Sequence, residues 1–131
     1  MSFELVMLGL AMVLGIVQIL LASAAATAQR GLAWNASARD GQPKPLTGVA
    51  ARLQRASTNF LETFPFFAAA VLAVVLSGRQ GAQSELAVQL YLGARLLYVP
   101  LYAAGIPYVR SLVWAVSLLG IAMLLWQLLH L

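Results

Sequence analysis

A chain of 131 residues with 62% hydrophobic and only 9% charged side chains lies outside the composition of ordinary soluble domains, and its mean hydropathy of +0.87 points to a protein solvated by lipid. The formal charge of +4 resides mostly in Lys and Arg residues flanking apolar stretches, not on a basic soluble surface with aromatic platforms, so no nucleic-acid partner is expected. There is no cysteine, which removes disulfides, thiolate metal sites and a protein thiol nucleophile together. His130 is the one histidine and has no second ligand at metal-binding spacing, so no metal is expected.

A membrane-crossing helix needs about 20 mostly apolar residues. The sequence offers such stretches at Phe3 to Ala28, Gly48 to Leu76, Ser84 to Ala104 and Pro107 to Leu129. They use nearly the whole chain and predict an all-α membrane protein, a four-transmembrane-helix bundle forming a single domain over residues 1–131.

The first helix opens with Met1-Ser2-Phe3-Glu4, an acid where a signal peptide carries a cation, and its apolar run is longer than a signal core. It is expected to be retained, although Ala22-Ser23-Ala24 resembles a cleavage site. Gly9, Gly15, Ala22, Ala25 and Ala26 offer a small-residue surface for close helix approach, either within the subunit or between subunits. The connection that follows, from Asn35 to Pro45, is long and polar, and Pro43 with Pro45 marks it as extended.

The second helix is unusual for a membrane span. Arg52, Arg55, Asn59 and Glu62 recur at steps of three and four, which at about 100° per residue places them on one narrow face. Lipid cannot take that face, because an ionisable group facing hydrocarbon costs at least roughly 2.5 to 3.5 kcal/mol. A turn at Ser77 to Gly81 leads to the third helix, where Arg95, Tyr98 and Tyr102 share a face by the same spacing. After Ala104-Gly105-Ile106, Pro107 suits the first turn of the fourth helix, which carries Arg110.

Arg30, Arg39, Lys44, Arg52, Arg55 and Arg110 fall at one end of this bundle, whereas Arg79 stands alone in the opposite loop. The positive-inside rule then predicts both termini outside and the polar residues toward the cytoplasm, with a bacterial inner membrane as the location.

Glu62 is the only acid expected at membrane depth. A structural reading pairs it with Arg95 or Arg55 as an ion-pair seam that fixes helix packing. A functional reading starts from the excess of guanidinium over carboxylate: an anion would balance Arg39, Arg52, Arg55, Arg95 and Arg110. Arginine forks bind carboxylates in two parallel hydrogen bonds, Asn59, Tyr98 and Tyr102 add neutral donors and acceptors, and Glu62 would take an amine. The ligand so described is small, net anionic and peptide-like.

These residues carry a resemblance. Arg55-Ala56-x-x-Asn59-x-x-Glu62-x-Phe64-Pro65, then Arg95-x-x-Tyr98-x-x-x-Tyr102, then Pro107-x-x-Arg110-Ser111, in this order, resemble the MAPEG superfamily, membrane-associated proteins in eicosanoid and glutathione metabolism. The resemblance implies a homotrimer with glutathione as co-substrate, bound between subunits near the cytoplasmic side. It implies that Arg55, Asn59 and Glu62 hold the glutathione backbone, that Arg95, Tyr98 and Tyr102 contribute from the third helix, and that Arg39 reaches a carboxylate. Arg110 would face the thiol as the catalytic residue, in a transferase or peroxidase acting on lipophilic electrophiles or lipid hydroperoxides. The partners expected are the chain itself, membrane lipids and a lipophilic small molecule. Two rival functions are a non-catalytic lipid-binding or scaffold member of the same superfamily and a small multidrug-type exporter. The exporter ranks lower because the first helix has no charge between Glu4 and Arg30.

Overall fold

A computed structural model describes residues 1–130 of the chain. Helix α1 spans Phe3–Arg30 and starts where the Ser2 side chain accepts from the Leu5 amide at 3.3 Å. Glu4 in its first turn complements the positive end of the helix dipole. At 28 residues it is about 42 Å long, more than the roughly 30 Å of hydrocarbon it has to cross. Gly31, at φ 92°, ends it with a backbone that residues with a Cβ rarely adopt.

A one-turn helix, α2 (Leu32–Ala36), occupies the start of the connection and has no counterpart in the sequence expectations. Five residues are too few to show a helical period, which is why it left no signal. The rest of the connection is non-helical, as the paired prolines require, and it is tied to α1 by a reciprocal pair of bonds. Gln29 Nε2 donates to the Thr47 carbonyl at 2.9 Å, and the Thr47 amide donates to Gln29 Oε1 at 3.1 Å.

Helices α3 (Gly48–Leu76), α4 (Ala82–Ala103) and α5 (Val109–Leu129) complete the bundle. With α1 they are the four helices long and apolar enough to cross a membrane. Helix α4 begins two residues before the expected Ser84, because Ser84 Oγ accepts from the Gly81 amide at 2.9 Å and so caps the turn ahead of it. Helix α5 begins at Val109, later than the expected Pro107, because Tyr108 sits at φ 58°, a left-handed conformation that cannot lie inside a right-handed helix.

The core lies between α1, α3, α4 and α5. The inner stripe of α1, Leu8, Ala11, Gly15, Gln18 and Ala22, recurs at steps of three and four and is buried. Phe67 of α3 stacks on Tyr91 of α4 with centroids 3.9 Å apart, and the Tyr91 hydroxyl shares a 3.0 Å hydrogen bond with Thr63. Closest approach between α4 and α5 is set at Gly120, where a Cβ would lie 2.7 Å from the Ala87 carbonyl oxygen. Gly15 performs the same service for α1, since a Cβ there would lie 2.8 Å from the Phe60 ring. Of the small residues on α1, Gly15 and Ala22 are thus consumed by packing inside the subunit, while Gly9 has open space beside it. Large apolar side chains such as Ile16, Leu20, Leu112 and Leu119 point outward, as lipid-facing residues must.

Glu4, in the first turn of α1, is buried, and Ser84 Oγ in the first turn of α4 donates to its Oε2 at 2.8 Å, which ties these two helix ends together.

Candidate functional site

The polar face of α3 does meet the polar face of α4, and the first turn of α5 joins them. Arg55, Asn59 and Glu62 from α3, Tyr98 and Tyr102 from α4 and Arg110 from α5 line one open hollow of about 260 Å³. The helical period explains the convergence: each element presents its polar side chains once per turn, so all of them emerge along a single seam.

Tyr102 is the centre of this seam. Arg55 Nε donates to its hydroxyl at 3.1 Å, the Arg55 guanidinium carbon lies 5.7 Å from its ring centroid, and that of Arg110 lies 4.6 Å from it. The electron-rich face of the ring is therefore shared by two cations. Tyr98 meets Tyr102 edge to face at 5.4 Å, which fixes the two rings against each other. Arg55 and Glu62 are exposed to the hollow, and Arg110 is half-buried beside it.

Arg95 has a different place. It is buried on α4, donates through Nη1 to Asn59 Oδ1 at 2.9 Å, and lies over the rings of Tyr98 at 4.2 Å and Phe60 at 5.5 Å. It does not line the hollow; it stands behind it and holds two residues that do. Arg55 and Arg95 are each engaged by a neutral oxygen, on Tyr102 and Asn59, in place of the ion pair with Glu62 that a packing seam would have provided.

Arg52, the first residue of the α3 stripe, is also outside the hollow. Its Nε donates to the Ala103 carbonyl at 2.9 Å, satisfying an acceptor that the end of α4 leaves without a helical partner. Arg39 lies in a second and larger hollow of about 580 Å³, formed where the connection folds against α1 and lined also by Arg30 and Trp34. Its guanidinium is tied back to the Asn35 carbonyl through Nε at 3.0 Å and Nη2 at 2.9 Å. The larger volume contains none of Glu62, Tyr98, Tyr102 or Arg110, so size does not make it the chemical centre. Gln54 lines both hollows.

Gln54 and Thr58 complete the smaller hollow and were not among the sequence-derived candidates. Their signal was available: each precedes a stripe residue by one position, and together they form a second polar row four apart on the same side of α3.

Chemically, the hollow offers two guanidiniums, one carboxylate, two primary amides, one aliphatic hydroxyl and two phenols. Such a set favours a ligand with more carboxylate than amine, held by forked hydrogen bonds. Among the described residues, no group of three His, Cys, Asp or Glu side chains is placed to hold a metal ion.

Searches against curated proteins and against solved structures found no match. The family model described as the MAPEG family matches residues 7–130, nearly the whole length, and the chain belongs to that family.

Proposed function

We propose that the protein is a membrane-bound, glutathione-dependent transferase or peroxidase whose co-substrate occupies the Arg55–Glu62–Arg110 hollow. The observation that carries this reading is the convergence of side chains from three helices, with excess positive charge and a single acid, on one hollow. It rests also on family membership, which supports a membrane function in glutathione or eicosanoid metabolism generally.

In this reading Arg55 pairs with a glutathione carboxylate, Asn59 and the two tyrosines bond its amide groups, and Glu62 accepts from its ammonium. Glutathione supplies a thiol nucleophile that the cysteine-free chain lacks. Arg110 holds the sulfur as thiolate: a thiol of ordinary pKa near 8.5 is lowered toward neutrality beside a guanidinium that does not lose its proton. The outcome is either a carbon–sulfur bond to a lipophilic electrophile, with a leaving group departing as its anion or, in an addition, the resulting anion taking a proton, or reduction of a lipid hydroperoxide to alcohol and water with two glutathiones leaving as the disulfide. Membrane burial favours both kinds of apolar second substrate.

We further propose a homotrimer. The hollow of about 260 Å³ lies open at the surface of a single chain, so a neighbouring copy would complete its walls. The clustering of basic residues at the site's end of the bundle supports a cytoplasmic site and outside termini in a bacterial inner membrane.

Calorimetric titration of glutathione into the detergent-solubilised protein tests the reading. Saturable binding is expected, weakened roughly tenfold or more by Arg55→Ala and by Glu62→Gln, as loss of a charge-assisted hydrogen bond implies. Absence of binding at millimolar glutathione by a folded protein overturns it and leaves a lipid-binding or scaffold role.

A further inference from the structure

The end of the bundle remote from Arg55 and Arg110 carries a second arrangement that glutathione chemistry does not use. Arg79, in the turn between α3 and α4, is fixed there on both its backbone and its side chain. Gln127 Nε2 donates to its carbonyl at 2.6 Å, and its own Nη1 donates to the carbonyl of His130. Gln83 Nε2 donates to the Met123 carbonyl at 3.1 Å. Each of these bonds uses one of the two amide N–H groups and neither engages Oε1, so Gln83 and Gln127 each keep an acceptor oxygen, beside one N–H, to offer a ligand.

The side chains line a polar hollow of about 310 Å³, and an apolar one of about 660 Å³, walled by Ala122, Leu125 and Leu129, adjoins it. Trp126 and His130 belong to both, with their rings stacked at 4.9 Å. A polar hollow beside an apolar one, with Trp126 and His130 common to both at the end of α5, matches the head and chain of a membrane lipid. Arg79 supplies a cation for a phosphodiester, and no carboxylate lines the polar chamber to pair with the ammonium of a choline or ethanolamine head. Glu85, the acid in α4's first turn, is exposed and does not line the polar chamber, and Glu4 of α1 is buried and bonded to Ser84. Glutamine acceptors call instead for a head that donates hydroxyls.

We propose that this end of the bundle binds an anionic phospholipid of the phosphatidylglycerol type, its phosphate on Arg79, its head hydroxyls on Gln83 and Gln127, and an acyl chain along Leu125 and Leu129.

The test uses full-length protein carrying Trp34→Phe and Trp114→Phe, which leaves Trp126 as the sole tryptophan and so the group excited selectively at the red edge of the absorption band, in phosphatidylcholine nanodiscs. Bromine-labelled phosphatidylglycerol and bromine-labelled phosphatidylcholine are titrated in separate arms, and soluble glycerol phosphate is added as competitor. Trp126 is expected to be quenched at a roughly tenfold lower fraction of phosphatidylglycerol than of phosphatidylcholine. Arg79→Gln is expected to abolish that preference without altering glutathione binding. Equal quenching by the two lipids reduces the contact to ordinary lipid solvation and overturns the proposal, as does absence of quenching or displacement by glycerol phosphate. The comparison in the protein with native Arg79 decides the matter even if Arg79→Gln does not fold.

Discussion

Arg95 of α4 and Asn59 of α3 are joined by a 2.9 Å hydrogen bond from Nη1 to Oδ1, formed beneath the hollow by a residue with almost no exposure of its own. The bond takes one of the two acceptor positions of the Asn59 amide oxygen and leaves both N–H groups of its Nδ2 as donors to offer a ligand. In the proposed site Arg95 would therefore act as a positioning residue, holding Asn59 through this bond and Tyr98 through its stacking.

Replacing it separates site geometry from stability. Nε and Nη2 of Arg95 are buried without a hydrogen-bond partner, so the native protein bears the desolvation cost of a cation that is only partly compensated. Arg95→Met removes that cost along with the bond to Asn59. The expected result is thermal stability within about 1 kcal/mol of the native protein, or above it, and glutathione affinity lowered roughly tenfold. Unchanged affinity with clearly lowered stability would reduce Arg95 to a packing element.

Gln18 presents the complementary case on α1. It is buried at 4% exposure, and neither its Nε2 nor its Oε1 has a partner. A buried polar group left unpaired costs about 1–3 kcal/mol, so Gln18→Leu, of similar length and apolar, is expected to raise thermal stability by an amount in that range. A substitution that lowers the melting temperature would mean that the amide is bonded in the membrane-embedded protein.

The contrast between these residues shows what the sequence could reveal. The membrane helices were legible because each is a long apolar run whose length is set by the bilayer, and Gly48–Leu76 coincides with its expected bounds. The seam of Arg55, Asn59, Glu62, Tyr98, Tyr102 and Arg110 was legible because polar residues in an apolar helix must share a face, and the period fixes which one. Period alone does not tell depth from surface. Arg95 shares a face with Tyr98 and Tyr102 yet lies behind the hollow, and Arg52 shares one with Arg55 yet caps α4, because side-chain length and the neighbouring helix end decide where a guanidinium arrives. The turn at Tyr108 and the backbone tie of Arg39 depend on local dihedral angles, for which neither residue type carries a signature.

Close packing of α4 on α5 yields a prediction independent of function. At Gly120 an added Cβ would meet the Ala87 carbonyl oxygen at 2.7 Å and the Tyr91 amide nitrogen at 3.1 Å, and both are backbone atoms that cannot swing aside. Gly120→Ala must therefore push the helices apart. Destabilisation of about 1–3 kcal/mol is expected, the usual cost of overpacking, read as a lower thermal midpoint in detergent. Gly9→Ala, with nothing within 4 Å, serves as the control and is expected to be neutral in the isolated subunit's packing.

The proposed chemistry is tested most directly at Arg110. Its guanidinium carbon lies 4.6 Å from the Tyr102 ring centroid, at the opening turn of α5, and the residue lines the hollow together with Glu62. If it stabilises the bound thiolate, Arg110→Ala returns the sulfur to a pKa near 8.5, and at pH 7 only a few per cent of it stays ionised. The ultraviolet absorbance of bound thiolate should then vanish at neutral pH and return as the pH is raised, while glutathione affinity falls only modestly because Arg55 and Glu62 still hold the backbone. Arg110→Lys keeps a positive charge and should retain part of the signal. A thiolate signal that survives Arg110→Ala would transfer the role to another donor at the hollow, with Arg55 the remaining cation placed there.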